Sequence, residues 1–216
     1  SIMSMAACAS SLLVATTTVA ELLARVRSTF PDGIWMVRGE LLFRDARGEP
    51  VRTLGLELRL DLRGHPPRAR ARLSDAFGVE LAAVAATLGS EGAISLHEIP
   101  PDGAGARELP ADAEALDTGL RWSDFFFDFL SWPRGRVLGL EMKRARECWV
   151  AELAAPAGAR YAAVRLWIDA REYLLLQAEG RDPAGRVVRR LSVKSVANVN
   201  GQWVIEDLDL ESPPRP

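Results

Sequence analysis

The side chains able to do chemistry are few, and their spacing is poor for it. His65 lies in the turn Gly64-His65-Pro66-Pro67 and His97 in a strand-like run. Neither has a second His, Cys or carboxylate at metal-ligand spacing. Cys8 and Cys148 are the only cysteines, too few for a disulfide framework or a thiolate zinc site. The compact acid groups are Asp124 with Asp128, and Glu206 with Asp207 and Asp209. The first pair reads as the solvated side of a helical turn and the second as alternating strand faces, with nothing adjacent in sequence to shift either. Gly-x-Ser-x-Gly elbows, phosphate loops and dinucleotide fingerprints are absent; Gly103-Ala104-Gly105 lacks the strand and helix such a motif needs. The expectation is a non-enzyme with no catalytic residue, no metal and no cofactor.

Charge excludes a second class. With 27 basic and 29 acidic residues the formal net charge is −2, which offers no electrostatic drive toward nucleic acid or anionic membrane. Arg68, Arg70 and Arg72 alternate with Ala69, Ala71 and Leu73, with no interleaved aromatic on which a base could stack. This stripe reads as a solvated outer face and not as a phosphate track. For it to share a face with Glu57 and Asp61, the connection between the two strands must hold an even number of residues, because a one-residue slip exchanges faces.

The elements that must position these residues are mostly strands. Val19 to Phe30 carries Leu22, Leu23, Val26 and Phe30 at helical spacing before Pro31-Asp32-Gly33. From Ile34 the period becomes two, most clearly where Leu54, Leu56, Leu58, Leu60 and Leu62 alternate with Gly55, Glu57, Arg59 and Asp61. Turns at Asp45-Ala46-Arg47-Gly48, Asp182-Pro183-Ala184-Gly185 and Asn198-Val199-Asn200-Gly201 punctuate about eleven strands in consecutive antiparallel order. Residues 100 to 118 read as one long irregular connection. Between the two strand blocks, Trp122 to Trp132 holds six of the fifteen aromatic side chains. It reads as a helical turn, capped by Ser123 and stopped by Pro133, with Phe125, Phe129 and Trp132 on one face and Phe126 and Leu130 beside it. Such a turn covers apolar surface that a sheet cannot cover for itself, either as a lid over a cavity or as permanent core.

Cys8, in Met5-Ala6-Ala7-Cys8-Ala9-Ser10-Ser11, resembles the lipobox of a bacterial lipoprotein. The expectation is a truncated leader and linker at residues 1–18, a single domain at 19–211, a Pro-rich tail at 212–216, and lipidation at Cys8. Cys148 reads as a buried hydrophobe. In order, the possession of one N-terminal helix, a hairpin-rich first half, a short apolar insertion, Tyr161-Ala162-Ala163-Val164-Arg165-Leu166-Trp167-Ile168-Asp169 and Asp182-Pro183-Ala184-Gly185-Arg186 resembles the bacterial outer-membrane lipoprotein-sorting superfamily of LolA carriers and LolB receptors.

That resemblance implies a mainly β (α+β) fold: a half-open, strongly curved antiparallel β-barrel of about eleven strands, with helical elements on its concave face. It implies an apolar cavity for acyl chains, with Leu58, Leu60, Phe125, Phe126, Phe129, Leu130 and Trp132 as its lining and lid. Ala71 to Leu81 is similar to the receptor's protruding hairpin, whose exposed tip touches the membrane; Phe77 takes that place, the alternative being a tucked-in turn. Arg63, before Gly64-His65-Pro66, is the nearest match to the carrier's gating arginine. The implied protein is a monomeric, periplasmic envelope protein, lipid-anchored at the outer membrane, that binds lipid acyl chains or lipoproteins. The alternative is a periplasmic sensor or scaffold of the same fold that binds protein partners.

Overall fold

The computed structural model describes residues 17–212; the leader, Cys8 included, lies outside the described residues. Helix α1 (Val19–Thr29) starts at a reciprocal cap: the Glu21 N–H donates to the Thr18 hydroxyl and the Thr18 N–H to the Glu21 carboxylate. Its buried face is Val19, Leu22, Leu23 and Val26, the stripe that the apolar spacing predicts.

Two antiparallel six-stranded sheets follow, each with its strands in chain order. The first holds β1 (Trp35–Arg44), β2 (Pro50–Asp61), β3 (Arg68–Ser74), β4 (Glu80–Leu88), β5 (Ile94–Glu98) and β6 (Arg107–Leu109). The second holds β7 (Gly135–Lys143), β8 (Arg146–Ala154), β9 (Ala163–Asp169), β10 (Leu175–Arg181), β11 (Val187–Val199) and β12 (Gln202–Glu211). Both sheets are open, with no closed barrel among the described residues, and the strands number twelve, not eleven. The additional strand is β6, three residues inside the stretch read as irregular. Its pairing of Leu109 with Leu96 and Arg107 with Glu98 comes from the neighbouring strand and not from any alternation of its own.

Register follows the sequence where one face is buried. Six residues, 62 to 67, link β2 to β3, and Glu57 pairs with Arg72 and Asp61 with Arg68. The arginines thus share the outer face with the acids, and Glu57 lies 3.2 Å from Arg38 and 3.6 Å from Arg72. Ala69, Ala71 and Leu73 are buried behind them.

One apolar core joins the α1 stripe, the inward residues of the first sheet (Leu58, Leu60, Leu73, Leu96) and those of the second (Leu153, Leu166, Ile168). The aromatic segment is packed into this core. A smaller cluster on the other side of the second sheet gathers Cys148, Val150, Trp167, Leu174 and Leu176, with the Lys143 ammonium 4.6 Å from the Trp167 ring centroid. Cys148 is fully buried there, and burial pushes its thiol above the ordinary range, as suits an inert core residue.

Candidate functional site: an aromatic insert beside a cavity

Residues 122 to 132 form two 3-10 turns, Trp122–Phe125 and Asp128–Ser131, and not one helical turn. The break is Phe127, at φ 52° and ψ 32° in the left-handed region. It separates the side chains that one helical face would have aligned. Phe125 packs edge-on against Trp122, while Phe127 turns toward Phe30 and Trp35, with ring centroids 5.6 and 6.5 Å away. Phe126, fully buried, enters the core between them. Ser123 does not cap the first turn, which begins one residue earlier, after Arg121.

The insert is fastened by charge as well as by packing. Asp124 has a side chain only 2% exposed, and it accepts from the Arg121 N–H at 2.8 Å and from the Tyr161 hydroxyl. Arg160 lies 3.5 Å and Arg189 3.6 Å from its Oδ2. Arg189 is itself buried on β11, and also donates to the Gly119 carbonyl at 3.0 Å and to the Ser212 hydroxyl. One carboxylate therefore pairs with two guanidiniums, and it ties the insert both to the β8–β9 connection and to β11. Burial, then the Asp124 charge, push the Tyr161 phenol well above its ordinary range, so it stays protonated and donates. On the opposite side, Arg27 of α1 donates to the Leu130 carbonyl at 2.5 Å.

A cavity of about 400 Å³ opens beside this hub. Its wall is made by the Ser90–Gly92 turn, the second half of the insert and the connection from Pro156 to Tyr161. Phe129, Trp132, Ile94 and Val164 supply apolar surface, and Glu91, Asp112, Asp128 and Arg160 supply charge. Burial, then the neighbouring Asp124, push the Asp128 carboxyl up to about 7. Gly92, at φ +79°, lets this wall close: a Cβ there would stand 2.7 Å from Trp132 Cδ1 and 3.0 Å from Pro156 Cγ. Gly92→Ala is expected to displace the indole into the cavity and lower stability by about 1–3 kcal/mol, measured by urea unfolding.

Of the residues singled out from sequence, Phe129 and Trp132 stand at the cavity wall, whereas Leu58, Leu60, Phe125, Phe126 and Leu130 are buried in the shared core. Phe77 is at the tip of the β3–β4 hairpin and 92% exposed, with Val79 and Leu81 also exposed. Arg63 is exposed in the β2–β3 connection. Sequence reasoning missed Asp124, Asp128, Arg160, Tyr161 and Arg189. The pair Asp124 and Asp128 is not solvent decoration: both are drawn inside by the phenylalanines that flank them. Groups of three or more metal-ligating side chains are absent among the described residues, as are helices long and apolar enough to cross a membrane.

The architecture is shared with solved structures. An outer membrane lipoprotein-sorting protein domain from Vibrio parahaemolyticus superposes with a TM-score of 0.73 at 14% identity, over 89% of this chain and 84% of that one. The fold is that of the lipoprotein-sorting proteins. A LolA superfamily protein from Nitrosomonas europaea gives a TM-score of 0.68 at 14% identity, covering 92% of this chain and 87% of that one. A DUF1329 family protein from Desulfovibrio piger gives 0.71 at 15%, covering 90% and 85%. A family model described only as an uncharacterized protein matches residues 121–214. No curated protein matches the chain. Within the lipoprotein-sorting fold, the matched stretch starts at the insert and runs through the second sheet, so it contains every residue of the Asp124 hub.

Proposed function

We propose that this protein is a non-enzymatic component of the bacterial envelope that shields lipid or lipoprotein acyl chains, with the two open sheets serving as its half-open shell. The observation that carries this reading is the cavity beside the insert. Its volume lies within the usual range for small-molecule sites, and its wall includes two 3-10 turns that can shift more readily than a long helix. Displacing the insert would add the space now filled by Phe126 and Leu130, which is how residues of the core become lining. The Asp124 hub supports a role for the ionisable groups in fastening, not in catalysis. The similarity to lipoprotein-sorting structures supports the same reading, with a periplasmic location. Phe77, with Val79 and Leu81, provides an apolar tip suited to touching a membrane surface.

Titration with dodecanol below its solubility limit in water, read by tryptophan fluorescence, tests the cavity. Moving ten methylenes out of water is worth about 8 kcal/mol gross, so after the cost of ordering the chain a Kd of order 10–100 μM is expected. Lack of saturable binding would remove the proposal. Phe77→Asp is expected to weaken co-sedimentation with phosphatidylethanolamine/phosphatidylglycerol vesicles about tenfold and to leave dodecanol binding unchanged.

One observation favours a second reading, a scaffold for protein partners. Edge strand β7 exposes Leu138, Leu140 and Met142 beside unpaired backbone, the arrangement that accepts an added strand.

A further inference from the structure

The cavity wall is chemically uneven. Its ionisable members are Glu91, Asp112, Asp128, Arg160 and Tyr161; the phenol stays protonated, which leaves three carboxylates against one guanidinium. That guanidinium is already engaged, 3.5 Å from Asp124 and in reach of the Gly119 carbonyl at 3.2 Å. Asp124 is fully subscribed by Arg121, Tyr161, Arg160 and Arg189, whereas Asp128, one turn further on, has no ion pair and no side-chain partner among the described residues. The nearest help to its carboxyl comes from backbone N–H groups of its own turn, at Asp128 and Phe129. Phe129, Trp132 and Tyr161 line the same cavity. A carboxylate without a cation, in a cavity that aromatic side chains also line, suits an ammonium group, which gains from the charge and from nearby rings.

We propose that the cavity selects amphiphiles whose polar head carries a protonated amine, and that Asp128 is the group that pairs with it. The proposal deepens the acyl-chain reading above and rests on it: the alkyl chain lies along Phe129, Trp132, Ile94 and Val164, and the ammonium sits at Asp128. An anionic head would meet three carboxylates at the same wall and be disfavoured. The elevated titration of Asp128 fits a carboxyl that lacks a cationic partner, and ammonium binding would draw it back down. The amine can come from a simple alkylamine or from an aminophospholipid headgroup, and both share the chemistry that Asp128 reads.

The test compares ligands of equal chain length below their solubility and micellar limits at pH 8, by tryptophan fluorescence. Dodecylamine is expected to bind wild-type protein about tenfold more tightly than dodecanol, and dodecanoate more weakly than both. With twelve-carbon lysophospholipids, the ethanolamine form is expected to bind more tightly than the glycerol form; preference for dodecylamine without preference between these two assigns the site to free alkylamines. In Asp128→Asn, dodecylamine is expected to fall to the affinity that the same variant shows for dodecanol, and a wild-type circular dichroism spectrum with cooperative urea unfolding shows that the variant is folded. Equal binding of dodecylamine and dodecanol by wild type overturns the proposal, and so does a preference that survives in Asp128→Asn. Failure of dodecanol to bind wild type is a different result, and removes the acyl-chain reading and this inference together.

Discussion

Asp124→Ala is expected to lower the free energy of unfolding by about 3–5 kcal/mol, because it leaves Arg189 buried and Arg160 half-buried without the carboxylate that pairs with both. The loss is larger than for an exposed ion pair, since neither water nor salt reaches a side chain that is 2% exposed. The Tyr161 hydroxyl and the Arg121 N–H lose their acceptor in the same step. Urea unfolding of the single variants and of Asp124→Ala with Arg189→Met measures the coupling. The double variant should recover part of the stability, since Met fills much of the space without needing a counter-charge. Additive losses would show that the hub is not a unit.

Stability is also expected to fall as pH rises from about 4 to about 7, through Asp128. In the unfolded chain its carboxyl titrates near the ordinary 3.8, and in the fold at about 7, so across this window the unfolded state has released a proton that the folded state retains. The raised value makes the charged form the costly one in the fold, and about three pH units of difference amount to about 4 kcal/mol, fully lost above pH 7. Asp128→Asn, which cannot ionise, should be clearly more stable than wild type at pH 8, and the two should converge at pH 3. Thermal melts of both proteins across pH 3–8 give this directly. Asp169 works in the opposite sense and in a different window. Although burial opposes it, the Glu172 N–H and the Arg146 guanidinium hold its carboxyl below the usual range, so its contribution is present above pH 4 and fades below it. The two windows meet near pH 4 and do not cancel.

Patterning made the sheets readable because half of each strand must be buried. The alternation of Arg68, Arg70 and Arg72 with Ala69, Ala71 and Leu73 fixes both the face and the β2–β3 register. Asp182 and Gly185 close the β10–β11 turn by local hydrogen bonds that depend on neighbours only. The insert was legible as an aromatic apolar element but not as two turns. The left-handed Phe127 is held by Phe30 and Trp35, almost a hundred residues earlier, and nothing within the segment announces it. The hub was illegible for the same reason. Asp124 gains its meaning from Arg160 and Tyr161, 36 and 37 residues away, and from Arg189 further on. Two acids four residues apart describe a solvated helix equally well until those partners are placed.

Because each strand pairs with the one before it, either sheet can assemble as soon as its own residues are available, by closing short loops only. The greasy segment between them has no such autonomy: its anchors Arg160, Tyr161 and Arg189 are synthesised after it. During biogenesis the insert can meet Arg27, Phe30 and Trp35 of the first half at once, but must wait for its charged anchors and for the second sheet. This interval, rather than the mature form, is when the chain most needs a holdase to keep it from sticking to others.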